Sequence, residues 1–105
     1  MVAKRILESS GYSVRVSGDP HEALHVWRAE PADVLVTDVD MPGMSGIQLR
    51  ERLCQTTPDL RTLFITGHSS EPLEVFAQEK SSAVVMKPFS RNELLAALAE
   101  LLGHR

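Results

Sequence analysis

Asp38, Thr66 and Lys87 are far apart in the sequence, yet each follows a short apolar run. Val34-Leu35-Val36 leads into Thr37-Asp38, Leu63-Phe64-Ile65 into Thr66, and Ala83-Val84-Val85-Met86 into Lys87-Pro88. Short runs rich in branched apolar residues read as strands buried on both faces, as in a parallel sheet. Parallel strands place their carboxyl ends on one edge, where open α/β sheets bind ligands. A carboxylate, a hydroxyl and an ammonium on that edge suit a phosphoryl group held covalently on the carboxylate. The carboxylate is then the nucleophile, the other two neutralise phosphoryl oxygens, and a divalent cation supplies the rest. Singly, each has a plainer account: a strand-terminal Asp as a turn residue, an ordinary Thr, and a solvated Lys before Pro. The reading rests on the three in this order.

The elements that must position them follow from pattern and punctuation. Met1–Ser10 reads as a helix with Val2, Ile6 and Leu7 near one face, stopped by Gly11. Tyr12–Ser17 alternates, with Tyr12, Val14 and Val16 on one face, and reads as a strand. Asp19 with Glu22 forms a capping box, Pro20 takes the first helical position, and Ala23, Leu24 and Trp27 turn inward. Asp33–Asp38 is the next strand. Asp40-Met41-Pro42-Gly43 reads as a turn, and Ser45 with Gln48 caps a helix burying Ile47, Leu49 and Leu53. Leu63–Thr66 is a third strand, Pro72–Lys80 a weaker helix and Ala83–Met86 a fourth strand. Ser90 and Glu93 cap a final, strongly amphipathic helix carrying Leu94, Leu95, Leu98, Leu101 and Leu102. Strands alternating with helices define an α/β protein with an open parallel sheet and right-handed crossovers.

Composition excludes several classes. At 105 residues there is room for one domain, and 43% hydrophobic with 24% charged residues is ordinary for a globular chain. A formal charge of −3 gives no electrostatic case for direct nucleic-acid or anionic-membrane binding. A single cysteine, Cys54, forbids an internal disulfide and fits a reducing, cytoplasmic setting. No apolar run approaches the ~18 residues of a membrane span. Asp33 and Asp59 read as turn residues. The four histidines lack metal-site spacing between loop and helix positions. His21 and His25 lie four apart on one helix face, and the simplest account of them is a solvated surface.

The motifs Asp38 with Asp40-Met41-Pro42 and Gly46, then Thr66, then Lys87-Pro88-Phe89, resemble those of the receiver domains of response regulators in two-component signalling. Ile6-Leu7-Glu8, Gly11-Tyr12 and Glu22-Ala23-Leu24 match less diagnostic positions, so the resemblance spans essentially residues 1–105. The wording LFITGH is similar to receivers attached to, or partnered with, hybrid sensor kinases. The resemblance implies a flavodoxin-like receiver fold and no enzyme in the ordinary sense. It makes Asp38 the phosphoacceptor, Thr66 the switch hydroxyl and Lys87 the phosphate-pairing cation. It also implies a cis Lys87-Pro88 bond, and Mg2+ held by Asp38 and the Asp40 backbone carbonyl. The implied partner is a histidine kinase or phosphotransfer protein, in a phosphorelay.

Two departures shape the expectation. The family opens with a strand ending in an acidic pair that binds magnesium, and neither precedes the first helix here. Four strands and five helices are therefore expected, with the absent strand's place between Tyr12–Ser17 and Asp33–Asp38, a compromised sheet centre and weak Mg2+ binding. In addition, the position three before Lys87, aromatic in the family, is Val84. The switch is then expected to work through the loop Gly67–Glu71. A receiver-like interaction module that is never phosphorylated is the competing reading. A small hydrolase sharing the Asp nucleophile is a third, disfavoured for want of a second acid or base.

Overall fold

The computed structural model describes residues 2–15, 17, 19–39, 43–67 and 81–103. In chain order these form α1 (Val2–Ser9), α2 (Pro20–Ala29), β1 (Val34–Asp38), α3 (Gly46–Cys54), β2 (Arg61–Thr66), β3 (Ser82–Met86) and α4 (Arg91–Leu101). The expected helix at Pro72–Lys80 and the loop before it lie outside the described residues.

Each helix boundary has a local cause. α1 ends in a left-handed Gly11 (φ 94). The Tyr12 amide donates to the Leu7 carbonyl and the Gly11 amide to that of Glu8, both at 3.1 Å. That pair of bonds is a Schellman closure, and Leu7 and Tyr12 pack into the same core cluster. Ser45–Gln48 and Ser90–Glu93 form reciprocal capping boxes, as the sequence predicts. The box expected at Asp19–Glu22 is replaced. The Asp19 carboxylate accepts from the His21 amide at 2.8 Å. The Asp19 amide, which Glu22 should have taken, donates to Ser17 Oγ at 3.4 Å.

The described sheet is parallel in the order β1-β2-β3, so β2 is flanked on both sides. Leu63, Ile65 and Val85 face α1 and α4, packing with Leu7, Leu94, Leu98 and Leu101. The opposite face carries Phe64, which meets Val39, Ile47 and the partly buried Val84. A third cluster joins α2 to α3 through Leu24, Trp27, Met44, Leu49, Leu53 and Leu60. The Trp27 indole N–H donates to Thr57 Oγ1 at 3.2 Å, so that its polar edge is satisfied.

Two expectations about strands are corrected. Tyr12–Ser17 does not form a strand in its described residues. Tyr12 and Val14 still pack on the core, but no described strand stands beside them to complete a ladder. β1, expected to be buried on both faces, has Val34, Leu35 and Val36 only half-buried, whereas Thr62 to Thr66 of β2 are all buried. The contrast follows from pairing: β2 has a described neighbour on each side and β1 has one. Among the described residues, the Tyr12 segment does not pair with β1.

The α2–α3 cluster depends on Leu53, which is 1% exposed. Leu53→Ala should lower unfolding free energy by about 2–5 kcal/mol, measured as a shift of the urea midpoint at unchanged slope.

Candidate functional site

The sheet register fixes the site. Asp38 pairs with Ile65 and Thr66 with Met86, so the ends of β1, β2 and β3 fall within about one residue of each other. Two further bonds extend the ladder past the strand ends. The Val39 amide donates to the Ile65 carbonyl at 3.1 Å, and the Lys87 amide to the Thr66 carbonyl at 2.8 Å. The backbones at Asp38 and Lys87 are thus both tied to β2. The Lys87-Pro88 bond is cis, as expected.

Lys87 Nζ lies 3.0 Å from Asp38 Oδ1, with the two side chains 48% and 46% exposed. A half-exposed pair contributes only about 0–1 kcal/mol of stability. What it does is orient the carboxylate and keep an ammonium on it. Thr66 is buried, and its Oγ1 has no hydrogen-bond partner among the described residues. A buried hydroxyl left without a partner costs about 1–3 kcal/mol. The structure therefore brings Asp38 and Lys87 together and places Thr66 at the adjoining strand end, bonded to neither side chain. Asp40, expected to offer its carbonyl to a metal, lies outside the described residues.

Two positioning residues were not legible as such. Val39, between two acidic residues in the sequence, is fully buried at the heart of the Phe64 cluster. Gly46 starts α3 with its amide on the Val39 carbonyl at 2.8 Å. A Cβ on Gly46 would run into the Asp38 carbonyl oxygen, with Thr37 Cγ2 at 3.0 Å. Helix α3 therefore lies directly against the backbone that carries Asp38. The sequence signal for this was the glycine immediately after an N-cap serine, where few helices need one.

For Mg2+ the donor set is thin. Among the described residues no group of three or more His, Cys, Asp or Glu side chains is placed to hold a metal. At the strand ends the available carboxylate is Asp38, and an ammonium already faces it. Magnesium needs an octahedron of oxygens, usually one or two carboxylates with waters and phosphate. The described residues do not by themselves fit that demand.

An open parallel α/β sheet whose strand ends gather Asp, Thr and Lys is the architecture of a receiver domain. The chain belongs to the response regulator receiver domain family of two-component signalling, whose family model matches residues 1–99. It is 33% identical over 99 residues to the response regulator receiver protein CpdR of Brucella abortus (strain 2308), covering 93% of this chain and 82% of that protein. It is 32% identical over 93 residues to the C4-dicarboxylate transport transcriptional regulatory protein DctD of Rhizobium meliloti (strain 1021), covering 88% of this chain. Of that regulator's length it spans only 20%. The structure of a CheY-like response regulator receiver domain protein from Methanospirillum hungatei JF-1 superposes with a TM-score of 0.84 at 29% identity, covering 97% of this chain and 82% of that one. The flavodoxin-like receiver fold expected from the sequence is thereby shown.

Two outcomes follow from this geometry. Gly46→Ala should destabilise by about 1–3 kcal/mol through overpacking, and the amide shifts of Thr37 and Asp38 should move more than those of β3. Lys87→Ala removes a like charge from any cation approaching Asp38. Mg2+ affinity, followed by the Asp38 and Val39 amides, should rise about fivefold, or ~1 kcal/mol after allowing for solvent exposure.

Proposed function

We propose that Asp38 accepts a phosphoryl group from the phosphohistidine of a histidine kinase or phosphotransfer protein. An Asp38 carboxylate oxygen attacks phosphorus, a P–O bond forms as the P–N bond breaks, and the imidazole leaves as the neutral ring after taking a proton. Lys87 Nζ, already 3.0 Å from Oδ1, turns to the incoming phosphoryl oxygens. The Thr66 hydroxyl, with no partner among the described residues at rest, gains an acceptor. The observation that carries this reading is the Asp38–Lys87 pair at the sheet edge where the buried Thr66 hydroxyl also ends its strand.

Residues 1–105 then act as one receiver domain, a signalling module rather than an enzyme with turnover on a diffusible substrate. The altered protein surface is its output. Magnesium assists only weakly in this chain, since one carboxylate serves it among the described residues. A net charge of −3 argues that these residues do not themselves bind nucleic acid. No described helix is long and apolar enough to cross a membrane, and the lone cysteine suits a reducing, cytoplasmic setting.

The test is direct. With acetyl phosphate and magnesium, the intact mass should rise by one phosphoryl group, mapped to Asp38. Asp38→Asn should abolish the gain and leave the unfolding free energy within about 0.5 kcal/mol of the parent. Unmodified parent protein under these conditions, with shifts elsewhere on partner addition, would instead favour an interaction module that works without phosphate.

A further inference from the structure

We propose that His21 and His25 form a second cation site, a two-imidazole chelate on α2 for a borderline divalent transition metal such as Zn2+ or Cu2+. Both residues lie within α2, four positions apart, and both are exposed. At that spacing two side chains stand one above the other on a helix face. Among the described residues, neither imidazole has a hydrogen bond or ion pair, so the ring nitrogens are available to a ligand.

The helix beneath them is held in place. Pro20 occupies its first position, and the Asp19 carboxylate takes the His21 amide at 2.8 Å. Leu24 and Trp27 anchor the opposite side in the core shared with α3. Of the two, only His21 borders the open groove of about 400 Å³ that Gln48, Glu51, Arg52 and Gln55 also line, and the chelate proposed stands on the exposed face of α2 itself. The segment His21-Glu22-Ala23-Leu24-His25 has the His-Glu-x-x-His order of helical zinc sites. Catalytic sites of that order have a further protein ligand. Among the described residues no third His, Cys, Asp or Glu joins these two, so water completes the sphere and no hydrolytic step is assigned.

The selectivity follows from ligand type. Imidazole nitrogen suits zinc and copper, whereas magnesium takes oxygen. The α2 face is therefore expected to favour a borderline ion over a hard one such as Mg2+.

The full chain is titrated with Zn2+ by calorimetry and with Cu2+ by amide NMR. One metal per chain is expected, with paramagnetic broadening centred on residues 19–28 and on the facing surface of α3. His21→Ala and His25→Ala should each weaken Zn2+ binding about a hundredfold, because a chelate becomes a single tooth. Asp38→Asn should leave Zn2+ binding unchanged. Equal affinity in either His variant would overturn the site, as would broadening centred on Cys54. One metal per two chains with metal-driven dimerisation would also overturn it, since the chelate proposed lies within one chain.

Discussion

The parallel pairing of β2 with both neighbours is the constraint from which the site follows. Because the strands run the same way with little stagger, Asp38, Thr66 and Lys87 meet at one edge although 49 positions separate the first from the last (87 − 38 = 49). The bonds Val39 N–H to Ile65 O and Lys87 N–H to Thr66 O carry that alignment one residue past the strands, where the chemistry lies. Side-chain contacts add little by comparison. A half-exposed ion pair is worth at most about 1 kcal/mol, whereas the ladder and its buried faces hold the positions. The chemistry is set by backbone register, and the side chains then act from fixed points.

Helix α3 supplies the second restraint. Its first residue is a glycine because the Asp38 carbonyl occupies the space a side chain would need. Its cap comes from Ser45 and Gln48, and its body is locked to α2 through Leu49 and Leu53. A displacement of α3 would therefore be felt at Asp38 with no intervening side chain to absorb it. The Val39 carbonyl, accepting the Gly46 amide, is the hinge point of that connection.

Much of this was legible in the sequence because the signals are local. Capping serines with Gln48 and Glu93, the helix-stopping Gly11, and the apolar runs before Thr66 and Lys87 each point to an element with its own physical cause. The Asp–Thr–Lys order made the site legible as well. What failed was what depends on neighbours. Tyr12–Ser17 alternates well enough for a strand, but a strand also needs a ladder, and none of the described strands offers one. Val34–Val36 has the composition of a two-sided buried strand, yet burial is decided by what stands alongside. Val39 and Met44 were passed over because both sit in a segment that reads as loop. Both are core residues, 0% and 5% exposed. The Asp19 box failed to a competitor two residues away in sequence: Ser17, whose hydroxyl takes the capping amide.

Electrostatics gives the last step. At rest the Asp38 carboxylate and Lys87 ammonium balance each other, and the Thr66 hydroxyl at the adjoining strand end is buried with no partner among the described residues. On the proposed reading a phosphoryl group brings negative charge and several strong acceptor oxygens to that edge. The ion pair holding Asp38 is weak enough, at about 0–1 kcal/mol, that turning Lys87 toward the phosphoryl oxygens costs little. The orphaned hydroxyl has the larger stake, since satisfying a buried donor recovers about 1–3 kcal/mol. Thr66 thus has more to gain from the modified state than the ion pair has to lose. On that reading, the driving force for a change of surface lies at the strand end of β2 rather than at Val84, which is not aromatic. Val84 already packs against Phe64, Val39 and Ile47, and as an aliphatic side chain it has no polar tip to exchange.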